Sequence, residues 1–390
     1  MPNERSAATP PPIPDHLKRI KRGEVSGSYP KAERRPAVPP PIPKEALIKQ
    51  PKEKLPSPTE LQQPDLIESR EVKGFAGLRV CGTLEKKDVR KKGSEEPSAN
   101  QDVLVLDPET GLVGVCDGLG GEGSGDKASA EAAQAFGPEF TAAQKRLKEV
   151  DISELQKLIV DQQMRRPSNA QKLQEVTTHT ENLLLADTTL GRKVAALLES
   201  FKTINDRVSG TDGKTTATVG FVHILPSGER WAVVASVGDS TAYKRRKNGE
   251  MLTMNEEDSL LNTLIGSGRL TQNRLDELKQ DANETIAIGG KTMNYKGLKQ
   301  RMVAALGSPA FEPSLMVRRL EPGDALVFAT DGVIDKFEGA DDETDLEALA
   351  ETYNGGKTPT ERLDALRKEA KKRKTYKSDD DIGLVSVEVL

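Results

Sequence analysis

The stretch DVLVLDPETGLVGVCDG, residues 102–118, decides the fold. Its two short apolar runs flank Asp107-Pro-Glu-Thr-Gly111, a strong turn signal, and therefore predict a β-hairpin. Asp102 comes directly before the first run and Asp117 directly after the second, so we expect their carboxylates side by side at the open end of the hairpin. Two carboxylates that close repel each other unless a cation neutralises them, so the pattern indicates a metal site.

Two further acidic residues stand at the ends of predicted strands. Asp331 follows the apolar run at 325–330, and Asp380 lies just before the run at 382–390. If these strands alternate in direction, the four acids converge on one rim of the fold. Carboxylate oxygens suit Mg²⁺ or Mn²⁺ better than zinc, and no histidine is near these acids in the sequence. Taken singly, an Asp-Gly pair is an ordinary turn signal, which is the alternative interpretation of Asp117 and Asp331.

The rest of the pattern predicts an α+β fold in which helical insertions interrupt antiparallel strands. Two more hairpins are predicted, one from the apolar runs at 216–225 and 230–237 and one at 243–252. Helical composition is found at residues 128–136, 152–164 and 170–201. A polar, partly helical stretch at 256–302 precedes the last two strands.

The N-terminal part of the chain has a different composition. Residues 1–60 hold 14 of the 24 prolines, and the segment PPPIP occurs twice, at 10–14 and 39–43. Such a sequence buries too little apolar surface to offset its conformational entropy. We therefore expect a disordered, basic arm over residues 1–70 and a folded domain over 71–390. A solvated tail is one interpretation of the arm, and a ligand for a proline-reading domain is the other.

Charge and cysteine content limit the function classes. Residues 1–60 carry 12 Lys/Arg against 7 Asp/Glu, so about −9 of charge falls on the remainder of a chain whose total is −4. That acidic remainder disfavours nucleic-acid binding. Cys81 and Cys116 are too few for a disulfide framework or a structural zinc site. Because no signal peptide or membrane-spanning run is evident, we expect a soluble, cytoplasmic monomer with no membrane partner.

Five ordered blocks carry a family resemblance, and a closing Asp380-Asp-Ile382 follows them. The blocks are Asn100-Gln-Asp102, Val115-Cys-Asp-Gly-Leu-Gly-Gly121, Lys214-Thr-Thr-Ala217, Ser236-Val-Gly-Asp-Ser-Thr-Ala-Tyr243 and Phe328-Ala-Thr-Asp-Gly332. They resemble the metal-dependent protein phosphatases of the PPM type, the type 2C serine/threonine phosphatases. The resemblance spans about residues 75–390. It implies a four-layer α-β-β-α fold, in which a central antiparallel β-sandwich is flanked by helices and holds two Mg²⁺ or Mn²⁺ ions at one end.

The resemblance also implies roles for the four acids. Asp117 is expected to bridge both ions, and the backbone carbonyl of Gly118 to bind one of them. Asp331 and Asp380 are expected to complete the metal shell, with Asp102 supporting it from beside Asp117. The same four aspartates are the expected catalytic residues.

The resemblance also implies roles for residues around the four acids. Asn100 and Asp239 are expected to support the site from a surrounding layer. Arg90 is the candidate phosphate-binding residue, in competition with the two lysines that follow it. Asp212 is a candidate ligand for a third, weaker metal, with a plain loop aspartate as the alternative. Residues 256–302 occupy the region where relatives carry a mobile flap over the cleft.

The implied reaction is hydrolysis of phosphoserine and phosphothreonine monoesters in proteins by a water that bridges the two metals. Leu119 stands where some members have a histidine proposed as general acid, so a water is expected to protonate the leaving alkoxide. The main alternative is a catalytically silent phosphatase-like module that binds and regulates a partner protein. A scaffold tethered through the proline-rich arm is a further alternative.

Overall fold

Two antiparallel sheets of six strands each lie face to face in the computed structural model, among the residues that it describes. Those residues are 66–74, 77–86, 100–119, 124–147, 187–281, 283–309, 311–339, 344–373 and 380–390. The strands are β1 (Leu66–Val72), β2 (Leu78–Glu85), β3 (Asp102–Asp107), β4 (Leu112–Leu119), β5 (Lys214–Thr215), β6 (Ala217–Ile224), β7 (Arg230–Val237), β8 (Thr241–Arg245), β9 (Met251–Thr253), β10 (Ile286–Ile288), β11 (Lys291–Met293), β12 (Ser314–Leu320), β13 (Ala325–Ala329) and β14 (Ile382–Val389).

The described residues form eight α-helices, some of which cover the outer faces of the two sheets. They are α1 (Gly125–Arg146), α2 (Thr188–Val208), α3 (Leu260–Gly266), α4 (Gln272–Gln280), α5 (Tyr295–Lys299), α6 (Asp331–Ile334), α7 (Leu346–Asn354) and α8 (Pro359–Lys372), with a 3₁₀ turn at Asp335–Phe337. One sheet has the strand order β1-β2-β14-β13-β8-β9, and α7 and α8 pack against it. The other has the order β12-β7-β6-β4-β3, with β5 beside β4, and α1 and α2 pack against it. The four layers α-β-β-α match the architecture that the resemblance implied.

Alternation along β4 shows how the core determines which way the acids face. Val113 and Val115 pack in the core between the two sheets, whereas Leu112 and Cys116 pack against the helices outside. Side chains two residues apart share a face of a strand. Asp117 therefore continues the face of Val113 and Val115 and lies at the rim of the space between the sheets.

The three predicted hairpins are confirmed, and the register of the first is the predicted one. Strands β3–β4, β6–β7 and β8–β9 form these hairpins, and Asp102 is the partner of Asp117 in the first. The helix predicted at 128–136 is part of the longer α1. Of the helix predicted at 170–201, the described part lies in α2, while residues 152–164 lie outside the described residues.

Six of the described strands were not predicted, among them the short β5, β10 and β11. β2 and β12 were overlooked, and β1 begins at Leu66, before the predicted domain start at residue 71. Among the described strands β1 pairs with β2 alone and is an edge strand, and its sequence LIESREV carries charges that break the apolar pattern. The N-terminal arm up to residue 65 lies outside the described residues, so its predicted disorder and partner remain predictions.

Residues 256–302, called the insertion below, have a small apolar core of their own. This core contains Leu264, Leu278 and Leu298, each 6% exposed or less. The insertion contains α3, α4, the β10–β11 hairpin and α5. Backbone hydrogen bonds from Leu260 N–H to the Arg301 carbonyl and from Val303 N–H to the Asp258 carbonyl, both 2.8 Å, close its base.

Two further observations concern the helices and the cysteines. Among the described helices, none has both the length and the apolar character needed to cross a bilayer. Cys81 and Cys116 are free and buried. Burial raises the pKa of both thiols, so both are poor sources of a nucleophilic thiolate.

Asp187 caps α2 and ties it to β6. Its Oδ1 accepts hydrogen bonds from the backbone N–H groups of Thr189 at 2.8 Å and Leu190 at 3.1 Å, and its Oδ2 lies 3.1 Å from Nε2 of His223. Burial alone would raise the pKa of this carboxyl, but the hydrogen bonds from His223 and the two backbone groups outweigh it, so the net pKa is lowered. The charged form of Asp187 therefore stabilises the folded protein.

Replacing Asp187 by Ala should lower the free energy of unfolding by about 1–2 kcal/mol at neutral pH. Because the folded-state pKa is lowered, this contribution is complete above the ordinary carboxyl pKa of about 3.9 and is lost as the pH falls further. Denaturant titrations of both proteins from pH 7 to pH 3 measure the difference. Asp206→Ala on the exposed face of α2 is the control, expected within about 0.5 kcal/mol of wild type; an equal loss in both variants would contradict the capping role.

Candidate metal centre

Three carboxylates meet at the rim of the sandwich. Oxygen atoms of Asp117, Asp239 and Asp331 all lie within 4.8 Å of one another. Asp117 is near the end of β4, Asp331 begins α6 two residues after the end of β13, and Asp239 lies in the connection between β7 and β8. The two sheets and the connection between them thus each contribute one acid. A group of carboxylate oxygens at this spacing fits a hard divalent cation such as Mg²⁺ or Mn²⁺.

Burial and repulsion by neighbouring acids raise the pKa values of Asp117, Asp331 and Asp102. For Asp117 the largest cause is burial, followed by the charges of Asp331 and Asp102. For Asp331 it is again burial, followed by Asp239 and then other nearby acids. Burial likewise raises the pKa of Asp102, and Asp381 and Asp380 add to it. A cation at this site would reverse both effects, because it stabilises the charged form of every carboxylate that it touches.

Two threonines before β6 hold the backbone of Asp117. The carbonyl oxygen of Asp117 accepts from Thr215 Oγ1 and from the backbone N–H of Thr216, both at 2.8 Å. The backbone N–H of Asp117 donates to Thr216 Oγ1 at 3.1 Å. The hydroxyl of Thr216 is also hydrogen-bonded at 2.8 Å to that of Ser240, next to Asp239. Thr216 therefore links the backbone of Asp117 to the residue that follows Asp239.

A second network joins the two sheets at the rim. Thr330 Oγ1 donates to Asp102 Oδ2 at 2.7 Å and accepts from the backbone N–H of Gly383 at 2.9 Å. Nearby, the backbone N–H of Gln101 donates to Oδ2 of Asp381 at 2.7 Å. Thr330 follows β13 and Asp381 precedes β14, both strands of one sheet. Asp102, which begins β3, and Gln101, which precedes it, belong to the other sheet. These bonds fix the separation of the sheets where the acids meet.

Two glycines allow the backbone to pass closely at the site. A Cβ on Gly118 would lie 2.2 Å from the carbonyl oxygen of Gly125, and one on Gly332 would lie 1.8 Å from that of Asp381. Any other residue would force these segments apart. The requirement for glycine after Asp117 and after Asp331 is thus steric, beyond the turn-forming tendency of an Asp-Gly pair.

The predicted site residues are not all in the group of three. Asp102 is 2% exposed and lies opposite Asp117 in the hairpin. Asp380 is exposed, and it lines a cleft of about 270 Å³ together with Asp239 and Asp331. Asn100 is buried, and its Oδ1 accepts from the backbone N–H of Asp102 at 2.9 Å.

Asp239 differs most from expectation. It was expected in a surrounding layer, but the structure places its carboxylate with those of Asp117 and Asp331. The reason is that the β7–β8 connection runs between the two sheets at the rim where these acids meet. Asp212 is exposed in the loop before β5 and is not a member of the group. Arg90 lies outside the described residues, so its role remains a prediction.

Sequence reasoning overlooked several supporting residues. Thr216 and Thr330 stand inside quoted blocks, and Asp381 directly follows Asp380, so their positions were visible. Their roles depend on hydrogen bonds between segments 99 to 280 residues apart, which no local pattern shows.

A sequence comparison finds similarity to one known family over part of the chain. The family model of Stage II sporulation protein E (SpoIIE) matches residues 289–390, about a quarter of the chain. This region contains β12, β13, β14 and two of the four acids of the sequence analysis. A search of curated protein sequences gave no match.

Solved structures match most of the chain. PppA of Pseudomonas aeruginosa, described as a key regulatory component of T6SS, has a TM-score of 0.50 at 17% identity, over 81% of this chain and 99% of that chain. The PPM Ser-Thr phosphatase MsPP of Mycobacterium smegmatis, in complex with cacodylate, has a TM-score of 0.46 at 20% identity, over 80% and 98%. The catalytic domain of PstP, a serine/threonine phosphatase of Mycobacterium tuberculosis, in complex with two manganese ions, has a TM-score of 0.45 at 20% identity, over 80% and 98%.

The layers, the strand order and the match to PppA define a class of fold, the four-layer α-β-β-α sandwich. More particularly, the chain shares the fold of PppA, and the family-model match at 289–390 agrees with the resemblance found in its sequence.

Replacing Asp331 by Asn should stabilise the metal-free protein and weaken its response to metal. A raised folded-state pKa means that the folded protein loses stability as the pH rises above the ordinary carboxyl range. Removing one charge should therefore raise the free energy of unfolding at pH 7 by about 1.4 kcal/mol or more, the value of one pKa unit. Urea titrations with EDTA measure this change.

The same titrations with Mn²⁺ supply the second half of the test. Wild type should gain about 2.7 kcal/mol at a metal concentration 100 times the Kd, and Asp331→Asn should gain less. Asp206→Asn is the control and should respond as wild type does. A variant that is less stable in EDTA yet gains as much from Mn²⁺ would show that these acids do not share a cation.

Proposed function

We propose that this chain is a metal-dependent protein serine/threonine phosphatase that hydrolyses phosphoserine and phosphothreonine monoesters. The observation that carries the proposal is the meeting of Asp117, Asp239 and Asp331 within 4.8 Å at the rim of the sandwich. The fold of the PPM phosphatases supports it. Neither described cysteine suits a thiolate mechanism, because burial raises the pKa of both.

Two divalent cations, Mg²⁺ or Mn²⁺, fit the acidic residues at the rim. Asp117 would bridge them, with Asp331, Asp239, Asp380 and the carbonyl oxygen of Gly118 as further ligands. When bound, such ions lower the pKa of water and offset the charge that develops on phosphoryl oxygens. The chain's own contribution is to hold these ligands in place and to keep Asp117 at a fixed distance from the opposite sheet.

The cleft beside the acids is suited to a phosphate only after the negative charge of the residues that line the cleft is neutralised. Its lining includes Asp239, Asp331 and Asp380, and the cation among the described lining residues is Lys299. Lys299 Nζ lies 3.1 Å from Oε1 of Glu338, so its charge is already balanced. An anionic substrate would be repelled from this cleft without divalent cations. We propose that Arg90 adds a bidentate contact to the phosphate.

Proton delivery to the leaving group is proposed to come from solvent. Leu119 ends β4 two residues after Asp117 and carries no ionisable group. It cannot act as a general acid, so the alkoxide of the released serine or threonine would take its proton from water. Asp212, which is exposed, stays a candidate for a third and weaker metal.

The competing function is a catalytically silent module that binds and regulates a partner. Retention of the acids and of the glycines that fit around them favours the enzyme. Partner binding by the proline-rich arm, through a proline-reading domain, and a monomeric state both stay predictions. The insertion beside the cleft is proposed as the region that selects phosphoprotein substrates.

Activity against a phosphothreonine peptide with Mn²⁺ separates the two functions. Asp117→Ala and Asp331→Ala should each lower kcat/KM by about 10²- to 10³-fold or more, since ions that they hold supply several kcal/mol. Asp276→Ala, an exposed aspartate on α4, is the control and should keep wild-type activity. Equal rates in all four proteins would sink the enzyme proposal, and absence of activity in wild type that nevertheless binds Mn²⁺ would favour the silent module.

A further inference from the structure

The turn that carries Asp239 is held by one short segment of the chain. Asp239 lies in residues 238–240, which join β7 to β8. The segment at 254–258, called the entry segment here, follows β9 and includes the first residues of the insertion. The turn residues lie beyond the ends of both strands, so their backbone groups depend on partners elsewhere. Several of those partners are in the entry segment.

Asp258 binds the turn just before Asp239. Its backbone N–H donates to the carbonyl oxygen of Gly238 at 2.8 Å, and the backbone N–H of Gly238 donates to Oδ2 of Asp258 at 2.9 Å. Gly238 has a φ of 99°, in the region that favours glycine. The reciprocal pair of bonds therefore fixes the conformation of a residue whose backbone would otherwise have wide freedom.

Asn255 binds the chain just after Asp239. Its Nδ2 donates to the carbonyl oxygen of Ser240 at 3.0 Å, and its Oδ1 accepts from the backbone N–H of Ala242 at 2.7 Å. Asn255 is 3% exposed, so water does not readily replace these bonds. Asp239 is thus flanked by backbone groups that the entry segment holds on both sides.

We propose that Asn255 and Asp258 are positioning residues for the metal centre. They fix the backbone at 238–242 so that the carboxylate of Asp239 meets those of Asp117 and Asp331. Both act through the backbone of the turn. The proposal rests on the proposed function, because it gives Asp239 a role in holding the cations. Groups that orient metal ligands are typically worth 10- to 100-fold in metal affinity.

A purely structural role for the same bonds leads to a different result. The bonds would then contribute to folding stability alone, and a folded variant would bind metal as wild type does. Metal affinity, measured apart from stability and apart from turnover, distinguishes the two roles. Two variants are relevant. Asn255→Ala removes the hydrogen bonds to the Ser240 carbonyl and from the Ala242 N–H. Asp258→Ala removes the bond from the Gly238 N–H to the side chain and keeps the backbone bond to the Gly238 carbonyl.

The test is isothermal titration calorimetry of MnCl₂ into the metal-free full-length chain. Asn255→Ala and Asp258→Ala should each raise the Kd for Mn²⁺ by about 10- to 100-fold. Asp258→Asn keeps an acceptor oxygen for the Gly238 N–H and should recover most of the lost affinity. In phosphopeptide assays, the Mn²⁺ concentration for half-maximal rate should rise in parallel, while kcat at saturating Mn²⁺ should change much less.

Asn354→Ala is the matched control. Nδ2 of Asn354 donates to the carbonyl oxygen of Gly249 at 2.8 Å and its Oδ1 accepts from Nε of Arg245 at 2.9 Å, so this variant also loses two amide hydrogen bonds. Those bonds leave the backbone at 238–242 and the entry segment untouched. The Kd for Mn²⁺ should therefore equal that of wild type.

The outcomes separate this proposal from the proposed function. Unchanged Mn²⁺ affinity in folded Asn255→Ala or Asp258→Ala, with a lower Tm, overturns the positioning role and leaves the phosphatase proposal intact. If circular dichroism shows that Asn255→Ala does not fold, Asp258→Ala decides. A wild type that binds Mn²⁺ but hydrolyses no phosphopeptide contradicts the phosphatase proposal, while the calorimetric comparison still tests the positioning role. A wild type that binds no Mn²⁺ overturns both.

Discussion

Repulsion among closely spaced carboxylates is the interaction on which the rest of the structure depends. Two like charges about 4 Å apart repel by about 4 kcal/mol at an effective dielectric of 20. Asp117, Asp239 and Asp331 form three such pairs within 4.8 Å, against a net stability of about 5–15 kcal/mol for a typical domain. This spacing disfavours the state in which all three acids are charged, and a compensating cation removes that cost. The fold therefore holds a site that is costly when empty and favourable when a divalent ion binds.

The sandwich makes this arrangement persist, because each acid is attached to a different part of it. Asp117 belongs to one sheet, Asp331 follows a strand of the other, and Asp239 lies where the chain crosses between them. The apolar core between the sheets keeps these three backbones together. Thr330, which links the start of β3 to the start of β14, and Thr216, which links Asp117 to the turn of Asp239, set their distances at the rim. The distances between the acids therefore depend on how the two sheets pack.

The sequence predicted what depends on local pattern and failed where distant segments decide. The pairing of Asp102 with Asp117 follows from a short turn between two apolar runs, so it could be foreseen. The position of Asp239 depends on a glycine with positive φ and on hydrogen bonds with Asn255 and Asp258, which lie 13 to 20 residues downstream of the groups they bind. Likewise, β12 carries two arginines and a serine that interrupt its apolar pattern, and its strand character comes from pairing with β7. Tertiary contacts supplied what periodicity did not.

Anomalous X-ray diffraction at the manganese edge, on crystals of the full-length protein grown with MnCl₂, tests the central claim most directly. The account predicts two anomalous peaks about 4 Å apart, with oxygens of Asp117 within coordination distance of both and those of Asp331 and Asp239 contacting at least one. Manganese bound elsewhere, or no peak at the rim where these carboxylates meet, would contradict it.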